Sequence, residues 1–501
     1  MLLELHSHTS RYSKCSVCTP EDLVRRIMEK GLQGLVITEH HYLWTDDEIR
    51  QLKRDAGVGE HFLIMAGQEV DTDIGHVVVY GAKETIPERI KLTELREKFP
   101  DAALLWAHPF RKGRLPEIRQ LLDENINAVE IISSNHTVQE SCLGLTLWHK
   151  HKFNAVSGSD SHHVDTAGLF PTQIMHPVEN IDQLACEIKT GHCLPFIKEI
   201  PKAGSNIVVT EVIFGTKGED ESRSRIIIKS MKDEEKFNKE KDVCKIVGDL
   251  REKGFKNPIF RIPKIIAVDD SNREIIEESQ RGKILAELLP RVSLKVGRLY
   301  VRMAAQWLAR LHKIKTEGRY DDNQLLKEFK RLDGYAQRIK VMPDEFVKIF
   351  SGFIDTVKQK EEELFSRVGK ELVYNHGDYH PKNIIIGQDK VHDISTLFVS
   401  VIDFDNLIFT LPAFDVGYFL SQFESQLGDI SKKYDKDFLK AYIKESGRDD
   451  KDFIAQVGLF KLRANLSIGA YLIKVGAGDS PAMHKVIQSS LESKTKYLHN
   501  I

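Results

Sequence analysis

Apolar runs of strand length alternate with amphipathic segments of helix length over the first 200 residues of the chain. The apolar runs occupy residues 2–5, 34–38, 62–67, 103–107, 128–132 and 154–158. Between the first two runs, Thr19 to Asp22 has the composition of a helix start and Gly31 that of a helix end. Such repeated alternation predicts βα units with a largely parallel sheet and right-handed connections.

Histidines and carboxylates follow these runs, at or just beyond the point where each predicted strand ends. They are His6, His8, Glu39, His40, Glu69, His108, His136, Asp160 and His162. Because the carboxyl ends of parallel strands meet at one edge of an α/β barrel, we expect these side chains to converge there. Imidazole and carboxylate ligands suit Zn, Mn or Fe, and a cluster of this size can hold more than one ion.

Five short motifs in this region occur in a fixed order. They are His-Ser-His-Thr at 6–9, Thr-Glu-His at 38–40, Gly-Gln-Glu at 67–69, Ala-His-Pro at 107–109 and Gly-Ser-Asp-Ser-His at 158–162. In these motifs the chain resembles the polymerase and histidinol phosphatase family over about residues 1–200. The resemblance implies a distorted (β/α)7 barrel that holds two or three divalent metals and hydrolyses phosphoesters.

The resemblance also implies a distribution of ligands. The first metal would take His6, His8, Glu69 and Asp160, and Glu69 would bridge to a second metal held by His108 and His136. His40 and His162 would serve a third metal. That third site is the least complete, because Lys14 and Cys15 stand where the family often has His or Asp, and Glu39 stands where it often has Asp.

Other polar residues near the motifs leave two interpretations open. Arg11 and Arg111, with Lys14 and Lys112, lie in the adjacent loops and could grip a substrate phosphate, or they could be solvated loop cations. His76 could stand behind the ligands or be a buried core histidine, and the latter is slightly favoured. Isolated histidines such as His149 and His192 are interpreted as surface or helix residues and not as ligands.

The pattern changes near residues 201–205, where a second domain is predicted to begin. Residues 206–214 and 225–229 predict a β-hairpin around a glycine-bearing turn at 215–220, and a charged helix follows at 233–253. Further strands are predicted at 265–268 and 274–278. From residue 294 the pattern is mainly helical.

A polar motif far downstream carries the chemistry of this second half. Residues 375–383 read Asn-His-Gly-Asp-Tyr-His-Pro-Lys-Asn, and a later strand at 398–402 ends in Asp403. An Asp and an Asn five residues apart, followed by a strand-end Asp, fit phosphoryl transfer. In such sites one Asp accepts the proton of the acceptor hydroxyl, while the Asn and the other Asp hold Mg²⁺ on the nucleotide phosphates.

In these residues the chain resembles the aminoglycoside phosphotransferase and choline kinase group of protein-kinase-like folds, over about residues 204–501. The resemblance implies Asp378 as catalytic residue, Asn383 and Asp403 as Mg²⁺ ligands, and Asp415 as a structural residue. Lys229 would contact the α- and β-phosphates of ATP, paired with Glu240 or with its rivals Glu234 and Glu235. Residues 277–282, including Glu278, would form the hinge that receives adenine, and 215–218 the nucleotide loop.

Length and composition limit the remaining choices. A chain of 501 residues exceeds what one core supports, so we predict two domains at 1–202 and 203–501. The second would have an N-lobe at about 203–290 and a C-lobe at about 291–501, giving a two-lobed α+β kinase-like fold after the α/β barrel. A net charge of −2 gives no general attraction to nucleic acid or anionic membranes. Six cysteines and the lack of a long apolar run favour a cytoplasmic protein without a membrane span.

The sequence therefore predicts a bifunctional enzyme, a metal-dependent phosphoesterase joined to an ATP-dependent kinase. Its expected partners are ATP and a small phosphorylated metabolite or nucleotide, and a long nucleic acid is not expected. Two alternatives stay open. In one, a single active domain is gated by a partner domain that senses nucleotide or metal. In the other, the chain processes nucleic-acid ends. The oligomeric state and the substrates are not determined.

Overall fold

The computed structural model describes residues 1–501 except 60, 204–206, 215–223, 271, 316–322, 368–371, 391–392 and 498–501. The predicted nucleotide loop at 215–218 lies outside the described residues. The described chain divides into two compact units, one of residues 1–232 and 266–279 and the other of residues 233–265 and 280–501. The predicted domain boundary at 202/203 remains a prediction.

The strands and helices are as follows. The strands are β1 Leu2–Glu4, β2 Gly34–His40, β3 Leu63–Thr72, β4 Gly75–Tyr80, β5 Ala103–Trp106, β6 Ala128–Ile132, β7 Ala155–Ser157, β8 Thr172–Ile174, β9 Cys193–Pro195, β10 Ile197–Ala203, β11 Ile207–Phe214, β12 Ser224–Met231, β13 Phe260–Arg261, β14 Ile265–Asp269, β15 Glu274–Glu278, β16 Lys283–Ile284, β17 Val373–Asn375, β18 Ile384–Gln388, β19 Leu397–Val401 and β20 Ile408–Thr410. The helices are α1 Pro20–Glu29, α2 Asp46–Ala56, α3 Leu92–Lys98, α4 Ile118–Leu121, α5 Val138–His151, α6 Ile181–Lys189, α7 Glu234–Gly254, α8 Leu285–Leu288, α9 Leu294–Lys313, α10 Gln324–Ile339, α11 Asp344–Arg367, α12 Ala413–Leu427, α13 Asp435–Ser446, α14 Lys451–Lys474 and α15 Pro481–Tyr497.

The first unit is built on a sheet whose strand order is β7-β6-β5-β4-β3-β2-β1-β8-β9. Strand β7 at one end lies against β9 at the other, so the sheet is barrel-like and nearly closed. Apolar side chains such as Leu3, Val36 and Leu105 form one core of this unit, while α1 and α2 contribute Leu23, Leu52 and others to a second. The predicted strand–helix alternation is present at β1-α1-β2-α2-β3.

The sheet is mixed, and this differs from the parallel sheet that the alternation predicted. Strands β3 and β4 are antiparallel, with Thr72 opposite Gly75, and β8 runs antiparallel to β1. The connection between Thr72 and Gly75 is two residues long, and a turn of that length can join only antiparallel strands. The hairpin brings His76, at the start of β4, beside Glu69 on β3.

A five-stranded sheet follows, in the order β10-β11-β12-β15-β14. The hairpin predicted at 206–214 and 225–229 is confirmed as β11 and β12. Strand β10 begins at Ile197, before the predicted seam, and pairs with β11 along its length. Two consecutive strands, β9 and β10, therefore belong to different sheets, because β9 pairs with β8 whereas β10 pairs with β11.

The second unit consists of helices around a small sheet, β13-β19-β18-β16, and a two-stranded sheet of β17 and β20. Helix α7 confirms the helix predicted at 233–253. A large core gathers side chains of α9, α12 and α13 with those of β18 and β19, and Trp307, Tyr379 and Phe419 are among its fully buried members. No helix in the described part of the chain has the length and apolarity needed to cross a membrane.

Candidate active sites

The first candidate site lies where β1, β3, β5 and β7 lead into loops. His6 and His8 follow β1, Glu69 lies on β3, His108 follows β5 and Asp160 follows β7. His108 and Asp160 have positive φ angles of 30° and 44°. Side chains other than glycine rarely adopt this conformation, and such strain is concentrated at functional sites. We call the convergent side chains of this region the basin.

Four donor groups meet at the centre of the basin. His6, His8, Glu69 and Asp160 each offer an atom such that all four atoms lie within 4.8 Å of one another. Each of these side chains is at most 4% exposed. The Nε2 atom of His8 lies 3.1 Å from Asp160 Oδ1 and 3.3 Å from Glu69 Oε2. Two imidazoles and two carboxylates so arranged fit a divalent ion such as Zn, Mn or Fe.

Two buried glutamates that the sequence interpretation missed hold this group from behind. Glu130 Oε1 lies 3.0 Å from His6 Nδ1, and Glu130 Oε2 accepts a hydrogen bond from the backbone N–H of His108 at 2.9 Å. Glu4 accepts hydrogen bonds from the backbone N–H groups of His6 and Ser159. A carboxylate on Nδ1 of a ligand histidine fixes the ring and directs Nε2 toward the metal. A charged residue inside an apolar strand was the sequence signal for both.

A second group shares Glu69 with the first and contains a residue that was not predicted as a ligand. It consists of Glu69, His76 and His108, and Glu69 Oε1 lies 2.9 Å from His76 Nδ1 and 3.2 Å from His108 Nε2. His136, the predicted ligand, is outside the metal-competent groups of the described residues. It is buried, and neither of its ring nitrogens has a hydrogen-bond partner among them. An unpartnered buried imidazole fits a ligand role but does not establish one.

A third group consists of His8, His40 and His162. The His8 ring stacks on His40 with the centroids 4.5 Å apart, and the centroid of His162 lies 4.6 Å from that of His8. His40 Nδ1 also lies 3.1 Å from Glu69 Oε2. The predicted third set is thus brought together around His8.

Glu39 is placed differently from the prediction. Its carboxylate accepts hydrogen bonds from the hydroxyls of Thr9 and Ser13 and from Trp44 Nε1, and it lies outside the metal-competent groups of the described residues. The register of β2 explains this, because neighbouring side chains on a strand point to opposite faces and His40 takes the basin side. Glu39 therefore braces the loop that carries Ser13, a neighbour of His8.

The two predicted phosphate-gripping arginines lie in loops beside the basin. The Arg11 guanidinium packs over the ring of Trp44, 5.2 Å from its centroid. Arg111, three residues after His108, begins a short 3-10 turn, and its backbone N–H donates to the His108 carbonyl. A role for either arginine in binding phosphate remains a prediction.

Charge in the basin is strongly coupled. Burial disfavours the imidazolium form of His6, but the carboxylates of Asp160, Glu130 and Glu69 raise its pKa well above the usual value. The pKa of His8 is also raised, to about 9, because the carboxylates of Asp160 and Glu69 outweigh the opposite effect of burial. Conversely, the histidines keep the pKa values of the Glu69 and Asp160 carboxyl groups low, although burial alone would raise them. Protons on His6 and His8 thus occupy the position that suits a metal ion.

The second candidate site lies in the other unit, in the loops after β17 and β19. Asp378 follows β17, and the side-chain amide of Asn383 donates to the Asp378 carbonyl at 3.1 Å and contacts Asp378 Oδ2 at 3.4 Å. Asp403 comes after β19 with a φ of 70°. The two oxygens of the Asp415 carboxylate accept hydrogen bonds from the backbone N–H groups of His376 and Gly377, which anchors the loop.

Helix α12 also holds the Asp378 side chain, through a residue that the sequence interpretation missed. The hydroxyl of Tyr418 donates to Asp378 Oδ1 at 2.6 Å, and Gln422 Nε2 donates to the Tyr418 oxygen at 3.3 Å. Burial opposes ionisation of Asp378, but His380 and Tyr418 lower its pKa to about 2. Asp378 is therefore a carboxylate at neutral pH, with Oδ1 already bonded and Oδ2 facing Asn383 and His380.

A cavity of about 470 Å³ opens beside Gly377 in this unit. Arg463 and the carboxyl groups of Glu328 and Glu361 line it, together with five aromatic side chains. The aromatic residues are Phe365, Tyr374, Phe409, Phe414 and Phe460. Arg463 contacts Glu328 Oε2 and lies 3.6 Å from Glu361 Oε1, whereas Glu328 Oε1 and Glu361 Oε2 are buried without a hydrogen-bond partner among the described residues. Burial raises the pKa of Glu361 to about 8.

The residues predicted to contact the nucleotide are distributed over both units. Lys229 on β12 lies 3.6 Å from Glu277 on β15, and Glu278 ends β15. Glu240 is a buried residue of α7. The predicted pairing of Lys229 with Glu240 remains a prediction.

Residues 221–454 match the model of the phosphotransferase enzyme family. A curated relative, the uncharacterized protein MJ1587 of Methanocaldococcus jannaschii, is 24% identical over 148 residues, an alignment that covers 27% of this chain and 84% of the relative. The family match supports a kinase-like phosphotransferase domain in the C-terminal part of the chain.

Solved structures of kinases and phosphotransferases are also similar to this chain. Ethanolamine kinase of Plasmodium vivax is 16% identical and covers 62% of this chain and 82% of its own, with a TM-score of 0.39. The ADP-bound aminoglycoside phosphotransferase APH(2'')-Ib is 15% identical and covers 59% and 93%, with a TM-score of 0.40. A choline/ethanolamine kinase family protein from Mesorhizobium loti is 13% identical and covers 60% and 87%, with a TM-score of 0.38.

Proposed function

We propose that the chain is a bifunctional enzyme. Its first unit would hydrolyse a phosphoester with divalent metals in the basin, and its C-terminal part would transfer a phosphoryl group from ATP to a hydroxyl of a small molecule or nucleotide. The family match over residues 221–454 supports the transferase half. The observation that carries the hydrolase half is the convergence of His6, His8, Glu69 and Asp160 in a buried cluster.

The residues of the basin fit two or three metals. The first would take the four convergent residues, the second would take Glu69 and His108 with His76 or His136, and the third would take His40 and His162. Bound divalent ions would stabilise charge on the phosphoryl oxygens and activate water. The protein's own contribution would be to fix the ligands. Glu130 holds the His6 ring and the backbone of His108, and its own side chain is fully buried.

In the transferase half, Asp378 would accept the proton of the acceptor hydroxyl. As that oxygen forms its bond to the terminal phosphorus of ATP, the bond to the ADP oxygen breaks and the proton passes to Asp378 Oδ2, because Oδ1 is engaged by Tyr418. Asn383 and Asp403 would hold Mg²⁺, which would offset the negative charge of the phosphates. Lys229, Glu240 and Glu278 stay the predicted nucleotide contacts.

The cavity beside Gly377 would receive the acceptor. It adjoins the Asp378 loop, and its buried wall carries carboxyl oxygens of Glu328 and Glu361 that have no hydrogen-bond partner in the described part of the chain. Since buried polar groups are normally hydrogen-bonded, an acceptor that bears amino or hydroxyl groups would satisfy them. The five aromatic rings would pack against its apolar parts.

The proposal can be tested with the full chain supplied with Mn²⁺ or Zn²⁺ for esters and with Mg²⁺ for ATP. We would compare wild type, His6→Ala/His8→Ala, Asp378→Ala and the exposed control Asp429→Ala. Phosphate release from an aryl phosphate, a diester and nucleotides reports the basin, and formation of ADP with a panel of amino and hydroxyl acceptors reports the transferase.

We expect ester hydrolysis to depend on the histidine pair and to survive Asp378→Ala, with the reverse for transfer from ATP. The Asp429 variant should retain both activities, because its side chain is 81% exposed and pairs with Lys432 on the surface. If the wild-type chain hydrolyses none of the esters with any of the metals, the hydrolase half of the proposal is eliminated. ADP formation that persists in Asp378→Ala would eliminate the assigned transferase site.

A further inference from the structure

A second cluster of metal-ligating side chains lies in the first unit, apart from the basin. His176, Glu187 and His192 each offer an atom such that the three atoms lie within 4.8 Å of one another. Nδ1 of His176 lies 2.9 Å from Glu187 Oε2, and Nδ1 of His192 lies 3.5 Å from Glu187 Oε1. The sequence interpretation treated His192 as an isolated surface residue, and neither His176 nor Glu187 was singled out.

The cluster is at the opposite edge of the sheet from the basin. Strand β1 runs from Leu2 toward His6 and the basin, and β8 pairs antiparallel with it, with Leu2 opposite Gln173. The backbone carbonyl of Ile174, the last residue of β8, accepts a hydrogen bond from the amino group of Met1. His176 therefore lies beyond the beginning of β1, whereas the basin lies beyond its end. The two sets of histidines cannot share an ion.

Three elements hold the donors in place. Ile174 of β8 is paired with Cys193 of β9, and the backbone N–H of Met175 donates to the His192 carbonyl at 3.0 Å, so the sheet fixes the spacing of the two histidines. The backbone N–H of His192 donates to the carbonyl of Glu187 at 2.9 Å. Helix α6, which carries Glu187, is itself anchored by the fully buried Leu184 and Ile188. The positions of the three side chains are thus set by packed structure.

We propose that His176, Glu187 and His192 form a second metal site that binds one Zn²⁺, Co²⁺ or Ni²⁺ ion. Two imidazole nitrogens and a carboxylate are the ligand types these ions prefer. The side chains of His176 and His192 are 62% and 45% exposed, which leaves room for water to complete the coordination. The Glu187 carboxylate, which contacts both rings, would be the third ligand, and each imidazole would bind through an unprotonated ring nitrogen.

The site would have a structural role. Strand β9 lies against β7 and so brings the two ends of the sheet together, and β8 lies between β9 and β1. An ion held by residues after β8, before β9 and on α6 would fasten this closing segment. A ligand that binds only the folded state raises stability, so bound metal should raise the melting temperature and reduce proteolysis of this segment.

The test is a Zn²⁺ titration of the full, metal-stripped chain by equilibrium dialysis. Wild type is compared with His176→Ala/His192→Ala, with Glu187→Gln and with the control His149→Ala. His149 also pairs with a carboxylate, Glu199 at 2.8 Å, but it belongs to no group of three donors among the described residues. We expect the double variant to bind one Zn²⁺ fewer per chain, Glu187→Gln to bind that ion more weakly, and the control to match wild type.

Three further measurements keep the proposal falsifiable. Circular dichroism shows whether the variants fold, and hydrolysis of the aryl phosphate shows whether the basin still holds its metals. Anomalous scattering at the zinc edge from crystals of the wild-type chain needs no variant. A peak within bonding distance of one ring nitrogen of each histidine would establish the site. Equal Zn²⁺ counts in wild type and the folded double variant, or crystals without such a peak, would overturn the proposal whether or not the basin is active.

Discussion

Replacing Glu130 by Gln should weaken metal binding in the basin without removing any ligand. Glu130 now offers one oxygen to His6 Nδ1 and the other to the backbone N–H of His108. A glutamine has a single acceptor oxygen. If that oxygen stays on His108, the amide NH₂ faces His6 Nδ1 and forces the ring proton onto Nε2, the atom that faces Glu69 and Asp160. In that tautomer Nε2 cannot bind a metal.

The magnitude follows from the burial of this contact. Both side chains are fully buried, so solvent does not screen the bond. A hydrogen bond to a charged group contributes about 1.5–3 kcal/mol. At about 1.4 kcal/mol per factor of ten, this corresponds to a loss of metal affinity of roughly 10- to 150-fold. The range agrees with the roughly 10- to 100-fold loss typical of residues that orient a metal-bound histidine.

The assay is hydrolysis of an aryl phosphate as a function of Mn²⁺ concentration. We expect the Mn²⁺ concentration for half-maximal rate to rise by that factor in Glu130→Gln, while the rate at saturating Mn²⁺ stays close to wild type. Glu48→Gln is the control, because Glu48 accepts hydrogen bonds in the capping box of α2 and belongs to none of the metal-competent groups found among the described residues. A variant with an unchanged Mn²⁺ midpoint and a reduced maximal rate would refute the argument, since Glu130 would then act on the reaction and not on the ligand.

The remaining predictions concern the second unit. Tyr418→Phe should raise the pKa of Asp378, because the variant loses a hydrogen bond to the carboxylate that contributes about 1.5–3 kcal/mol. The acid limb of ADP formation should therefore move to higher pH, and an unmoved limb would exclude this role of Tyr418. The raised pKa of Glu361, about 8, means that the folded chain keeps a proton which the unfolded chain releases from about pH 4.5 upward, so stability should fall from pH 4.5 to 8 and level off above it. The stability of Glu361→Gln, measured by urea unfolding, should not show this decline with pH. A decline equal to that of wild type would contradict the assignment to Glu361. Gly377→Ala should lower stability and abolish phosphoryl transfer but not ester hydrolysis, because φ is +83° and a Cβ would overlap the Asn406 carbonyl; an active, equally stable variant would contradict this.

The basin shows how much of a site can be predicted from the pattern of residues along the chain. The ends of apolar runs marked His6, His8, Glu69 and Asp160, and the structure brings these four together. The same pattern also selected Glu39, whose side chain turns to Thr9 and Ser13. Position in the sequence indicates that a residue is near the edge of a sheet. It does not indicate which face of the strand the side chain takes when a loop follows at once.

Supporting residues were harder to recognise because their partners are distant in sequence. His76 reaches Glu69 only because a two-residue turn folds β4 back on β3. Tyr418 lies on a helix 40 residues after Asp378, and although Asp415 stands three residues before it, no local signal marks the tyrosine itself. Glu130 and Glu4 carried the one usable signal, a charge inside an apolar strand.

The sequence by itself determined the elements and the order of the chemical motifs. It was sufficient for the hairpin of β11 and β12, for α7, and for the phosphotransferase-like character of the C-terminal half, because strand and helix periods and short motifs are local properties. Only the tertiary structure decided that the first sheet is mixed, that β10 joins the second sheet, and that His176, Glu187 and His192 meet. These features depend on strand pairing and on the direction of side chains, which arise when segments far apart in the chain bury their apolar faces together.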